Sequence, residues 1–154
     1  METKLLITYG STMNREFMAI KCPGAKVTAK SWLYDYRLVF QGVKYPHASV
    51  IPEKGQDVPV LLWHITPQDE KALDEYNGVE CGFYTKEYLP VEYDGEIVNA
   101  LAYIMSPRDL GAPRDFYLEI IAKAYKDLNF PVNILNQAVQ YSKLSNKEEK
   151  EHAG

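Results

Sequence analysis

Cysteine is scarce in this chain: Cys22 and Cys81 are the only two among 154 residues. They stand far apart and without neighbouring histidines, which excludes a disulfide framework and a zinc-ligand spacing. Histidine is equally thin. His47, His64 and His152 are scattered, none in metal-ligand spacing of another His or Cys, so no metal and no cofactor is expected. Long apolar runs are missing too. Segments such as Val58-Pro-Val-Leu-Leu-Trp63 fall far short of the ~20 residues of a membrane span. There is no basic excess: 17 Lys and Arg face 21 Asp and Glu, a net charge of −4, which argues against a nucleic-acid polymer as partner. Met1-Glu-Thr-Lys4 lacks the apolar stretch of a signal peptide, so a reduced, cytoplasmic protein with no membrane partner is expected. Hydrophobic residues at 46% and charged residues at 25% exclude wholesale disorder. What the chain does have is tyrosine, twelve of them, on a length that suits one domain.

Lys4-Leu-Leu-Ile-Thr-Tyr9 reads as a buried strand running into a turn at Gly10. Asn14 is placed to cap a short helix reaching Cys22, where Pro23-Gly24 stops it. The segment from Ala25 to Phe40 predicts a long bent strand or two. Ala48–Pro52 and Val58–Ile65 predict a further pair joined by a Glu-Lys-Gly-Gln-Asp loop. Thr66-Pro67 opens a helix whose inner face is Ala72, Leu73 and Tyr76, and Asn77-Gly78 ends it as a left-handed cap. Strands over 83–93 and 96–105 flank Asp94-Gly95, a favoured hairpin turn. Apolar positions 117, 120, 121, 124 and 128 follow a 3.6-residue period from Pro113 to Leu128, and a last helix is expected near Val132–Tyr141. The expectation is an α+β domain over 1–142 with a charged, flexible tail over 143–154.

Chemistry-bearing motifs are few. His64, on a strand, is most simply a hydrogen-bonded structural residue, and Trp63 and Phe40 are core. Ser11 has no G-x-S-x-G context, so triad chemistry is unsupported. The informative piece is Tyr9-Gly-Ser-Thr-Met13. A glycine turn at a strand's carboxyl end aims several backbone N–H groups at one point and can hold an anion without a cationic side chain.

Taken in order, the motifs resemble those of the γ-glutamylcyclotransferase-like family. They are Tyr9–Met13, Trp32–Phe40, Ala48–Pro52, Val60–Trp63, Leu73-Asp-Glu-Tyr-Asn-Gly-Val79, Phe83-Tyr84, Val98–Tyr103 and Pro113–Tyr117. The resemblance implies a small mixed β-barrel with packed helices and a polar cavity floored by Tyr9, Gly10, Ser11, Thr12 and Met13. Tyr84 and Tyr117 match cavity-lining tyrosines. Members release 5-oxoproline from a γ-glutamyl amide. The substrate's own amine attacks its γ-carbonyl, so a shaped site with backbone donors and one proton-transferring carboxylate suffices.

The resemblance puts that carboxylate, a glutamate, where this chain has Asn77, and an amide accepts no proton at useful pH. Thr12 stands where many members carry Asn. Glu75 is turned away from position 77 on a helix, whereas Glu80, beyond the cap, is the candidate substitute base. Two functions therefore stay open. One is a protein that binds or sequesters a small polar or anionic metabolite, nucleotide-like guests included, through Tyr9–Met13, Asn77, Tyr84 and Tyr117. The other is an active cyclotransferase on γ-glutamyl peptides or amines. The expected partners are that ligand or substrate and a second copy of the chain in a homodimer.

Overall fold

The computed structural model describes residues 2–42 and 44–153. Five strands form one sheet: β1 (Lys4–Thr8), β2 (Lys26–Gln41), β3 (His47–Ile65), β4 (Tyr84–Tyr93) and β5 (Glu96–Met105). Their order is β2-β3-β1-β5-β4. β1 runs down the centre, antiparallel to β3 and parallel to β5, which is why its Leu6, Ile7 and Thr8 are buried on both faces. Four helices surround the sheet: α1 (Arg15–Lys21), α2 (Pro67–Tyr76), α3 (Asp115–Asp127) and α4 (Val132–Ala153).

Local chemistry accounts for most boundaries. The Asn14 side chain accepts from Phe17 N at 2.9 Å and starts α1. Asp94 and Gly95 both have positive φ, as a type I′ hairpin turn demands. β2 is one bent strand with register shifts at Val27/Ala29 and Tyr34/Tyr36. The expected break in β3 is not there: one strand runs from His47 to Ile65. The Glu53–Gln56 stretch bulges opposite Asp35, whose carboxylate accepts from Gly55 N at 3.0 Å. The last helix also exceeds its expected end at Tyr141 and continues to Ala153. Ser142, the first residue past that expected end, is fully buried, and its Oγ accepts from the backbone N of Phe40 at 2.9 Å on β2.

The expected barrel is not closed. Edge strands β2 and β4 approach each other: Ser31 Oγ donates to the Glu92 carbonyl at 2.6 Å, and Thr28 Oγ1 meets the Tyr93 hydroxyl at 3.1 Å. No backbone ladder joins them. Pro90 on β4 has no N–H to offer, and the two bulges twist β2, so the edges meet through hydrogen bonds from side chains in place of a backbone ladder.

Candidate functional site

Tyr9 leaves the end of β1 buried, its hydroxyl donating to the Tyr103 carbonyl on β5. Gly10 follows at a place where only glycine fits, since a Cβ there would lie 2.9 Å from the Ala48 Cβ. Ser11–Met13 form a single 3-10 turn, held by Met13 N to Gly10 O and Asn14 N to Ser11 O, both 3.0 Å. Among the described residues, the N–H groups of Ser11 and Thr12 bond to no backbone carbonyl, as the opening residues of such a turn must.

Ala48, at the start of β3, is clasped from two sides. Its N–H donates to the Tyr117 hydroxyl at 2.9 Å, and its carbonyl accepts from the Tyr84 hydroxyl at 3.0 Å. Tyr117 comes from α3 and Tyr84 from β4. Tyr117 therefore keeps its proton for another acceptor, while Tyr84 presents oxygen lone pairs.

α2 delivers Asn77. Its start is a reciprocal capping box between Thr66 and Asp69 with proline in the first turn. Its end is a Schellman turn: Val79 N bonds to Asp74 O at 3.0 Å, Gly78 N to Glu75 O at 3.2 Å, and Gly78 has φ +60. Asn77 is the last residue before that turn and is half-buried. One turn back, Asp74 accepts from the Tyr103 hydroxyl at 2.6 Å and pairs with Lys86 at 3.2 Å.

These pieces line one part-open cavity of about 80 Å³. Its wall contains seven of the residues singled out from sequence: Tyr9, Gly10, Ser11, Thr12, Asn77, Tyr84 and Tyr117. Two others lie elsewhere. Met13 is buried in the core and does not line the cavity, and Glu80 is exposed on the turn after α2, outside the wall. Sequence reading missed Thr8, Ala48, Tyr76 and Tyr103 as cavity residues. Tyr76 was expected on the inner face of α2 but is 42% exposed, with its ring at the cavity and against Phe17. The signal for Tyr76 and Tyr103 was the tyrosine count, because five of the wall residues are tyrosines.

Electrostatically the wall is neutral. Among the described residues it contains no Asp, Glu, Lys, Arg or His. Burial pushes the Tyr117 phenol up to about 12 and raises Tyr9, Tyr84 and Tyr103 further above the ordinary tyrosine value. At neutral pH all four are hydrogen-bonding phenols that cannot take up a proton. Among the described residues no three of His, Cys, Asp or Glu gather at one point.

Residues 6–122 match the family described as gamma-glutamyl cyclotransferase, AIG2-like. The chain belongs to this family. The gamma-glutamylcyclotransferases of Mus musculus and Homo sapiens are each 25% identical to it, over 139 and 140 residues. The alignments cover 84% and 85% of this chain and 74% of each relative. A solved gamma-glutamyl cyclotransferase superimposes with a TM-score of 0.80 at 23% identity, covering 89% of this chain and 86% of that one. At that identity the likeness is one of fold, and the fold of this cyclotransferase-family chain is thereby shared by the solved protein despite the sheet's open edges.

Proposed function

We propose that this member of the gamma-glutamyl cyclotransferase family binds a small polar or anionic metabolite in the tyrosine cavity without turning it over. The observation that carries the reading is a wall with no group able to accept a proton near neutrality, with Asn77 at the position the family resemblance gives to the base. Binding needs no such group. The Ser11 and Thr12 N–H groups, the Tyr117 hydroxyl and the Asn77 amide supply donors for a carboxylate, and a neutral Asn spares an anionic ligand the repulsion of a buried carboxylate. The volume of about 80 Å³ favours one compact head group over a nucleotide, since pockets for drug-sized ligands run to roughly 300–1,000 Å³.

The competing reading is an active cyclotransferase, supported by the names of the mouse and human relatives. It would require Glu80 to come in from its exposed place beyond the Schellman turn. Asn77→Glu separates the two. The native chain should bind a γ-glutamyl compound and release no 5-oxoproline. The variant should gain release by about 10²–10⁴-fold over the native background, the usual contribution of a general base. Release by the native chain at ordinary enzymatic turnover, on the order of 1–10³ per second, would sink the binding-only reading.

A further inference from the structure

Asn77 has a property that the binding reading does not use. The residue after it is glycine, and this is the only Asn-Gly pair in the chain. An asparagine side chain can be attacked by the backbone nitrogen of the residue that follows it. A side chain on that residue hinders the attack, and glycine has none. The pair sits where α2 gives way to the Schellman turn, with Asn77 at φ −85 and ψ 1 and Gly78 at φ +60. Asn77 is half-buried and lines the part-open cavity, so water reaches it.

The turn holds the two reacting groups apart. With ψ near zero, the Gly78 nitrogen eclipses the nitrogen of Asn77 itself and stands off the Asn77 side chain. Bringing it to the side-chain carbon requires the intervening peptide plane to rotate. That rotation breaks the bond from Gly78 N to the Glu75 carbonyl, which at 3.2 Å is the longest in the turn. Gly78 is pinned on its other side as well. Its carbonyl accepts from Cys81 N at 3.1 Å and from Phe83 N at 3.0 Å. The Phe83 ring lies so close against its α-carbon that a Cβ there would be 2.7 Å away. Phe83 is itself exposed, so the clamp is made at the surface, and it opens locally without unfolding the core.

We infer that Asn77 is a modification site, a latent carboxylate whose appearance is timed by opening of the turn after α2. When the turn opens, the Gly78 nitrogen loses its proton and bonds to the side-chain carbonyl carbon of Asn77, and the amide nitrogen leaves as ammonia. Water then opens the cyclic imide. Attack at the side-chain carbonyl gives aspartate, and attack at the backbone carbonyl gives isoaspartate. Either product puts a negative charge into a wall that carries none among the described residues, at the position the family resemblance gives to the base. The conversion goes beyond the binding reading and does not depend on it. Only its effect on affinity rests on that reading, because the new charge repels an anionic head group.

Peptide mapping by mass spectrometry during incubation in mildly alkaline buffer tests it on three samples. These are the folded chain, the same chain in denaturant, and folded Phe83→Ala, which loosens the clamp and leaves the Asn-Gly pair intact. The folded chain should convert at position 77, roughly tenfold or more slowly than the denatured chain. Phe83→Ala should convert roughly fivefold faster than the native fold. An unmodified Asn77 in the folded chain, once the denatured chain has converted fully, would overturn the site. Equal rates in the folded and denatured chain, or in the native fold and Phe83→Ala, would overturn timing by the turn. Calorimetric titration of Asn77→Asp with γ-glutamylglycine reads the consequence, an affinity about tenfold below that of the native chain. Unchanged affinity, or no binding by the native chain, would overturn the cavity reading and leave the modification site standing.

Discussion

Tyr125 carries a hydroxyl that its surroundings leave without a partner. It is completely buried, its ring packs edge-on against Phe130 at 5.7 Å, and no acceptor or donor reaches its oxygen among the described residues. Desolvating a hydroxyl without a bond costs more than deleting it, so Tyr125→Phe should stabilise the protein by about 1 kcal/mol. In a domain of this size that is a rise in Tm of roughly 2–4 °C. A fall in Tm would mean that the hydroxyl is served by an internal water. The tyrosines also show what single residues do and do not announce. Tyr9, Tyr84 and Tyr117 were readable because the family resemblance matches them to residues of a cavity. Tyr76 and Tyr103 carry no local mark that distinguishes a cavity wall from a packed core, and Tyr125, which is core, looks no different.

At the scale of elements, α2 is the piece whose two ends have different jobs. The Thr66–Asp69 box starts it, and the Schellman turn at Gly78 sets where Asn77 and Phe83 lie. Thr66→Ala should cost about 1 kcal/mol and leave ligand affinity alone. Gly78→Ala should cost about 1–3 kcal/mol, from the positive φ and from a Cβ placed 2.7 Å from the Phe83 ring, and should weaken ligand binding as well. Denaturant midpoints and titrations on both variants check this; equal affinities would remove the turn from any role in the site. Both ends of α2 were legible from sequence because caps are local chemistry. The same holds for the Asp94-Gly95 hairpin. β3 was not legible as one strand, because Glu53–Gln56 has loop-like composition and is carried along only by pairing with β2 across the bulge at Asp35. The parallel pairing of β1 with β5, at Leu6 and Leu101, joins segments too distant for any local signal.

For the whole molecule, the buried tyrosines set a limit at high pH. Burial raises the phenols of Tyr9, Tyr84, Tyr103, Tyr117 and Tyr125, with Tyr117 reaching about 12. Below pH ~10 these groups are protonated whether the chain is folded or not, and their contribution to stability is fully present. Above that, the unfolded chain loses the protons first. Stability then falls as pH rises towards the folded values, by about 1.4 kcal/mol per pH unit for each such tyrosine. The tyrosinate absorbance of these five should therefore rise only together with the change in far-UV circular dichroism, in one cooperative step above pH ~10. Ionisation of all twelve tyrosines with an unchanged dichroism spectrum would contradict the burial of these five. The α+β class and the family's set of elements were readable at this scale. The open sheet was not, because closure depends on whether β2 and β4 offer each other free backbone groups, and Pro90 and the bulges decide that in three dimensions.

The backbone of Ala48, its N–H held by Tyr117 and its carbonyl by Tyr84, ties β3, β4 and α3 at a single point beside the loop that follows β1. These contributions come from sequence positions scattered over most of the chain, and none of them forms a binding surface without the rest. A ligand seated there would bind only the finished tertiary structure, and so would raise its stability by an amount that grows with ligand concentration relative to Kd.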